Sequence, residues 1–231
     1  MALSNIYAEF TQEVDALLKQ IMQLPCSPDG YLSPQAREIF AHLEAIATSD
    51  RYQGIQDDVS NSAYFQTKFQ TLRAAFETYE TLLETQEFIK ALQADHVLQT
   101  EQLRRTFEFA KIEGTRAEIT KNSQVLFVGS GPYPETALAI HHIFGCPITC
   151  LDINPVACGL SSYLMRKNRI PIVVLQGNGT TFRYQGYTHI IVAALAKPKR
   201  DILRQICQST DHGVTVIVRT IQGLRTMIYE P

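Results

Sequence analysis

The 231-residue sequence contains no apolar run that approaches the ~20 residues needed for a membrane-spanning helix. Its first residues, MALSNIYAEF, have neither the charged segment nor the apolar core of a secretory signal peptide. The formal net charge is only −2, so no overall basicity indicates a nucleic-acid partner. These absences predict a protein that neither crosses a membrane nor binds nucleic acid.

Cysteine and histidine are present without a metal-binding pattern. The five cysteines are an odd number, and no two of them form a CxxC motif. Cys146, Cys150 and Cys158 have a spacing that matches no zinc or iron–sulfur motif. His141 and His142 are adjacent on a predicted helix, so their side chains point in different directions. We therefore expect reduced, buried thiols, no metal site and a cytoplasmic location.

Charge and hydrophobic periodicity both change near Lys121. Residues 1–120 hold 18 acidic and 10 basic side chains, whereas residues 121–231 hold 5 and 11. Apolar residues recur every three or four positions before this point and form short continuous runs after it. The sequence therefore predicts a helical bundle domain over residues 1–120 and a ligand-binding domain over residues 121–231.

The first half has the apolar spacing of amphipathic helices. One helix is predicted from near Ile6 to Leu24, ended by Pro25 and the CSPDG stretch. Ser33 followed by Pro34 is typical of a helix start, with serine as the N-cap.

Two longer helices are predicted farther along the same half. The first runs from about Ala63 to Leu92, and the second from about Thr100 to Glu118, interrupted or ended near Gly114. An aromatic stripe on the first is interpreted as core packing. Its members are Phe65, Phe69, Phe76 and Tyr79.

The second half alternates continuous apolar runs with helical segments. Strands are predicted at residues 125–129, 148–153, 172–176, 189–195 and 214–218, with helices at 134–144, 155–167 and 198–207. Buried strands that alternate with helices form parallel sheets covered on both faces. The predicted class is α/β: an N-terminal helical bundle plus a Rossmann-like, class I methyltransferase-like sheet. Because few residues follow the fifth strand, either the sheet is short or the chain is C-terminally truncated.

A glycine turn follows the first predicted strand, in the segment VLFVGSGPYP. Gly129 and Gly131 allow a tight turn and a close approach to a ligand, in front of a helix N-terminus. Pro134 occupies the third glycine position of a dinucleotide motif, and neither Pro132 nor Pro134 has an N–H donor. The pattern argues against a pyrophosphate and favours a nucleoside or zwitterionic ligand.

Polar residues follow the next two predicted strands. Asp152 can accept hydrogen bonds from two ribose hydroxyls, and Asn178 is placed to contact an adenine amine. This order favours a binding site for S-adenosylmethionine. The alternatives are a purely structural turn, in which Asp152 only caps a helix, and a site for an NAD-type dinucleotide. The residues assigned to the cofactor are Gly129, Ser130, Gly131, Asp152, Ile153, Asn178 and Ala193.

The segment after the fourth predicted strand limits the reaction. Methyltransferases that modify nucleic-acid amines often carry [ND]PP[YF] there, but this sequence has AALAKP. That class is therefore disfavoured. Methylation of a small molecule stays open as an alternative, and so does a ligand-binding module without catalytic activity.

The most distinctive segments are VLFVGSGPYPETA, CLDINP, IIVAALAKPKRDILRQI and VIVRTIQGLRTMIYEP. Together they resemble the nicotianamine synthase family, whose bacterial branch makes opine-type metallophores such as staphylopine and pseudopaline. The resemblance covers roughly residues 60–231 and is strongest from residue 123 onward. The first 60 residues resemble the family only in being helical.

The resemblance implies a reaction. The 3-amino-3-carboxypropyl (aminobutyrate) group of S-adenosylmethionine, a co-substrate, would be transferred to an amine, with 5′-methylthioadenosine as by-product. The implied acceptor is an amino acid such as histidine, of open chirality. A homodimer is a further expectation, because an exposed sheet edge invites pairing.

The resemblance also implies a catalytic glutamate on the long helix before the Rossmann-like domain. Glu80 and Glu84 lie one turn apart there, and an ungapped register favours Glu84. Thr106 stands where nicotianamine synthases carry a tyrosine, which suits a single transfer onto histidine. Glu108 or Glu113 could partly replace the lost group.

Three more residues are assigned to substrate binding from their positions. Tyr133 and Glu135 lie just beyond the glycine turn, and Glu135 is a candidate to hold the methionyl or acceptor ammonium. It is equally a favourable acid in the first turn of a helix. Arg219 ends the fifth predicted strand, where it could meet a substrate carboxylate or form a surface ion pair.

Overall fold

The computed structural model describes residues 2–25, 31–94, 101–210 and 213–230. The helices before the sheet are α1 (Ala2–Met22), α2 (Pro34–Ala47), α3 (Gln56–Asn61), α4 (Ala63–Gln93) and α5 (Glu101–Arg116). They are followed by β1 (Val125–Val128), α6 (Glu135–Phe144), β2 (Ile148–Asp152), α7 (Pro155–Lys167), β3 (Ile172–Gln176), β4 (His189–Val192), α8 (Lys199–Ser209) and β5 (Thr215–Val218). Two 3-10 helices span Asp50–Ile55 and Gly223–Met227. The predicted α/β class is confirmed.

The chain divides into two compact units. The helical unit comprises Met1–Leu83 and Thr220–Pro231, and the sheet unit comprises Glu84–Arg219. This division differs from the predicted boundary near Lys121. That position marks a change of secondary structure, but α5 packs against α6, which places it in the sheet unit.

Helix starts in the helical unit follow local sequence signals. The hydroxyl oxygen of Ser33 accepts a hydrogen bond from the Ala36 N–H at 3.0 Å, and Pro34 is the first helical residue, as predicted. The CSPDG stretch and Thr100, the predicted start of another helix, lie outside the described residues.

The core of the helical unit is aromatic. The side chains of Phe65, Phe69 and Phe76 on α4 are fully buried, which confirms that the stripe packs in a core. Tyr79 stacks on Phe40 of α2 with ring centroids 4.3 Å apart. Such aromatic pairs add to the free energy gained from apolar burial.

Residues after β5 complete that core. Leu224, Met227 and Ile228 are buried among the apolar side chains of the helical unit. The Arg73 Nε of α4 donates to the Thr226 carbonyl at 2.6 Å. The helical unit is therefore built from two separate stretches of sequence.

The sheet unit contains five parallel strands in the order β3-β2-β1-β4-β5. Each predicted strand is present, although β4 ends at Val192 rather than at residue 195, because the chain turns there. The chain leaves β1 toward β2 on one side and later returns to β4 on the other. Ligands of open α/β sheets bind at the carboxyl ends of the strands, where the order reverses in this way.

Gly114 does not interrupt α5, which continues to Arg116. Its role is steric, because a Cβ at this position would lie 2.5 Å from the Cζ of Phe144 on α6 and closer still to its Cε2. The glycine therefore lets two helices of the sheet unit approach each other.

Replacing Gly114 with alanine is expected to lower the free energy of unfolding by about 1–3 kcal/mol, the usual cost of overpacking. In an exposed helix the same change would stabilise by ~1 kcal/mol. Gly159 of α7 has nothing within 4 Å of its Cβ position and is the matched control. Denaturant titration of both variants checks the expectation, which is wrong if the two alanines have the same effect.

Candidate functional site

The glycine turn lies at the carboxyl end of β1, between β2 and β4. Gly129 and Gly131 have φ angles of 79° and 67°, in the left-handed region that favours glycine. The Gly129 N–H donates to the Leu151 carbonyl of β2 at 2.8 Å. A Cβ on Gly129 would lie 3.0 Å from that of Ala196 and 3.3 Å from that of Ala193. The turn therefore needs glycine for its conformation and for the close approach of the chain after β4.

The backbone orients the carboxylate of Asp152 at the end of β2. Its Oδ2 accepts a hydrogen bond from the Gly131 N–H at 2.8 Å, and its Oδ1 accepts one from the Asn154 N–H at 2.9 Å. Each carboxylate oxygen has a second lone pair. Asp152 thus retains two acceptor positions suited to a pair of hydroxyl groups.

The other residues assigned to the cofactor lie at the same edge of the sheet. Ser130, Ile153, Asn178 and Ala193 each follow the carboxyl end of a parallel strand. Ser130 and Ala193 are buried, whereas Ile153 is 65% exposed and offers an apolar surface beside Asp152.

Asn178 has a structural role in its own turn. Its Oδ1 accepts hydrogen bonds from the N–H and the hydroxyl of Thr180, both at 2.9 Å. An adenine amine would have to share or replace one of these donors, since the amide oxygen has two lone pairs. Contact of Asn178 with an adenine stays a prediction.

The carboxylate of Glu84 lies against the glycine turn. A Cβ on Gly131 would lie 3.2 Å from the Glu84 Cδ and closer still to its Oε2. Only glycine leaves room for the carboxylate here. Because the Gly131 N–H also donates to Asp152, this single residue adjoins both acids.

Glu80 belongs to the helical unit and has a tyrosine partner. The Tyr229 hydroxyl donates to the Glu80 Oε1 at 2.9 Å. Burial raises the pKa of Tyr229, and the neighbouring Glu80 carboxylate raises it further, so the phenol stays protonated. Sequence reasoning missed Tyr229, although it lies in the distinctive segment RTIQGLRTMIYEP.

Glu135 is held at the start of α6 by a residue of α5. The Thr106 hydroxyl donates to the Glu135 Oε2 at 2.8 Å. Tyr133 is buried just before it, and the Glu135 N–H donates to the Tyr133 carbonyl at 2.8 Å. Thr106 therefore orients a carboxylate from the position where the family resemblance implies a tyrosine.

Arg219 already contacts a carboxylate of its own unit. Its Nε donates to the Glu113 Oε1 at 3.0 Å, and its Nη2 donates to the Glu113 Oε2 at 2.7 Å. The Nη2 also donates to the Thr136 hydroxyl at 3.1 Å. The pair is largely buried, so it is not the surface ion pair considered from sequence. Glu113 is thereby engaged with Arg219, and Glu108 is exposed on α5.

The remaining thiols and histidines have structural surroundings. Cys146, Cys150 and Cys158 are buried, as predicted, whereas Cys207 is exposed. Burial raises the pKa of Cys150 to about 12 and also raises the pKa values of Cys146 and Cys158, which favours the protonated thiols. The His141 Nδ1 lies 2.9 Å from the Cys146 carbonyl. Among the described residues, no His, Cys, Asp and Glu group is arranged to hold a metal ion. No helix in those parts of the chain is long and apolar enough to cross a membrane.

Curated proteins with similar sequences include two L-histidine 2-aminobutanoyltransferases. The Pseudomonas aeruginosa protein is 30% identical over 119 residues, which are 50% of this chain and 45% of that protein. The Yersinia pestis protein is 28% identical over 116 residues, or 50% and 44% of the two chains. The match thus spans less than half the length of these relatives.

Solved structures of MtNAS have the same fold. The structure in complex with MTA and tNA has a TM-score of 0.83 and 21% identity, and covers 97% of this chain and 86% of that chain. A mutant in complex with S-adenosylmethionine has a TM-score of 0.82 and 20% identity, over 95% and 85%. The family described as "Nicotianamine synthase protein" matches residues 4–231, which extends the resemblance from about residue 60 nearly to the first residue. The chain therefore belongs to the nicotianamine synthase family.

Proposed function

We propose that this protein transfers the 3-amino-3-carboxypropyl group of S-adenosylmethionine to the amine of an amino acid and releases 5′-methylthioadenosine. The observation that carries the proposal is the carboxylate of Glu84 against Gly131, in the turn whose N–H orients Asp152. A nucleoside-binding acid and a candidate base thus adjoin one residue.

The residues at the turn fit the nucleoside. The two free acceptor positions of Asp152 match two ribose hydroxyls, and the exposed face of Ile153 suits an adenine ring. Gly129 and Gly131 have no side chains that would obstruct a ligand at the turn. Ser130 and Ala193 line the same edge, and Asn178 follows the neighbouring strand.

S-adenosylmethionine supplies a carbon, Cγ, that its sulfonium activates for nucleophilic attack. The acceptor amine must be neutral and in line with Cγ, about 3–3.5 Å away. Its nitrogen forms the new N–C bond while the C–S bond breaks, and the electron pair of that bond stays on the sulfur of the departing thioether. Glu84 accepts the proton that the amine nitrogen loses.

Three residues are proposed to hold the acceptor or the methionyl end. Glu135, oriented by Thr106, offers a carboxylate to an ammonium group. Tyr133 is buried next to Glu135, and Arg219 lies at the end of β5. The Glu135 carboxylate suits the ammonium of a zwitterionic amino acid, and the Nη1 of Arg219, to which Glu113 makes no hydrogen bond, suits its carboxylate.

Histidine is the proposed acceptor, because the curated relatives are named for transfer to L-histidine. The product would join an imidazole, two amines and two carboxylates in one molecule. Such nitrogen and oxygen donors suit divalent transition metals. We therefore assign the reaction to metallophore biosynthesis.

The nucleoside product tests this proposal. Incubation with S-adenosylmethionine and histidine is expected to give 5′-methylthioadenosine on chromatography, together with a histidine adduct. Mixtures without enzyme and without histidine correct for spontaneous decomposition. Release of S-adenosylhomocysteine would instead identify a small-molecule methyltransferase, and absence of any turnover would indicate a binding module.

A further inference from the structure

One carboxylate-binding edge of Arg219, formed by Nε and Nη2, is filled from within the chain. Glu113 contacts Nε and Nη2 in the parallel arrangement with which guanidinium groups bind carboxylates. The side chains of Arg219 and Glu113 are only 22% and 12% exposed. Partial burial makes the Coulomb attraction of this pair stronger than that of a pair on an open surface.

Further contacts fix the guanidinium in place. Nη2 uses its second hydrogen on the Thr136 hydroxyl, and the rings of Phe109 and Phe127 lie 5.2 and 5.7 Å from the guanidinium carbon. Within the described residues, Nη1 makes no hydrogen bond. A second carboxylate could therefore bind two nitrogens of Arg219 only by displacing Glu113 from Nε and Nη2 or the Thr136 hydroxyl from Nη2.

This pair lies beside the proposed acceptor site. Thr136, which contacts Arg219, follows Glu135 directly on α6. Glu113 comes from α5, which also supplies the Thr106 that orients Glu135. The group comprises two carboxylates and one guanidinium. An acidic side chain that entered here would meet like charge, and the Nε and Nη2 edge of Arg219 is already occupied by Glu113.

We propose that Glu113 is a specificity-determining residue that excludes acidic amino acids from the acceptor site, and this inference rests on the proposed function. Histidine, glutamine and other acceptors with neutral or cationic side chains avoid the repulsion. Specificity of this kind arises from a repulsive element rather than from a better contact with the favoured substrate.

Glutamine and glutamate are an isosteric pair that isolates the charge. The wild-type protein is first saturated with 5′-methylthioadenosine. We expect calorimetry then to show that glutamine binds at least tenfold more tightly than glutamate. Equal binding of the two amino acids, or binding of neither, would overturn the proposal without any variant. Because this readout is binding, failure of S-adenosylmethionine turnover would remove the proposed function separately.

Glu113→Gln keeps the side-chain shape and leaves the charge of Arg219 without its partner. We expect this variant to shift the glutamate-to-glutamine binding ratio at least tenfold toward glutamate. Glu108→Gln makes the same change of net charge at an exposed position of α5 and should leave the ratio unchanged. An unchanged ratio in a folded Glu113→Gln protein, or equal shifts in both variants, would show that the pair serves only structure.

Discussion

Replacing Glu84 with glutamine is expected to lower the rate of aminobutyrate transfer by a factor of about 100 to 10,000, the usual contribution of a general base. Glutamine has nearly the same shape, so the close fit against Gly131 is kept. The amide cannot take the proton that the acceptor nitrogen must lose. Release of 5′-methylthioadenosine under single-turnover conditions measures the rate, and calorimetry should show nearly unchanged affinity for S-adenosylmethionine.

Glu80→Gln is the matched comparison, because it makes the same chemical change one turn away on α4. Glu80 accepts a hydrogen bond from Tyr229 inside the helical unit. We expect its replacement to reduce thermal stability while the transfer rate stays near that of the wild type. Wild-type rates in Glu84→Gln with loss of transfer in Glu80→Gln would reverse the assignment of the base.

Replacing Gly131 with alanine is expected to abolish both S-adenosylmethionine binding and transfer. The left-handed φ of 67° alone costs a non-glycine residue about 1–2 kcal/mol. The new methyl group would also overlap the Glu84 carboxylate and force it away from the turn. The turn would shift in consequence, and its N–H would lose its position beside Asp152.

Gly145→Ala separates the cost of the left-handed φ from the overlap with the Glu84 carboxylate. Gly145 ends α6 with a φ of 66°, and nothing lies within 4 Å of its Cβ position. Alanine there should cost stability only and leave binding and transfer intact. In a Glu84→Ala background, Gly131→Ala should cost less S-adenosylmethionine affinity than it does in the wild type, since the obstructing carboxylate is absent. If Gly131→Ala and Gly145→Ala had the same effect on S-adenosylmethionine binding and on transfer, the contact of Gly131 with Glu84 would have no importance.

The features that sequence predicted well are those encoded locally. The N-cap at Ser33 and the buried strand at residues 125–128 each depend on neighbours within a few positions. The α/β class and the glycine turn follow from the same kind of signal. The end of a helix could not be predicted from local pattern alone. At Gly114 a side chain would collide with Phe144, which accounts for the glycine without any break in α5.

The features that sequence could not reveal are pairings between distant residues. Arg219 and Glu113 are 106 positions apart, and Tyr229 and Glu80 are 149 apart. Either carboxylate could equally have faced solvent, because charge and spacing do not specify a partner on another element. A change of periodicity near Lys121 likewise says nothing about which side chains share a core, so the extent of each compact unit does not follow from it.

The helical unit is discontinuous along the chain, and this affects the order of assembly during synthesis. Its core includes Leu224, Met227 and Ile228, which emerge from the ribosome long after α1–α3. The sheet unit, Glu84–Arg219, is one uninterrupted stretch and can be completed first. Domains usually fold from the N-terminus onward as they are made. Here the first helices must remain without their full set of apolar partners until translation has passed residue 228.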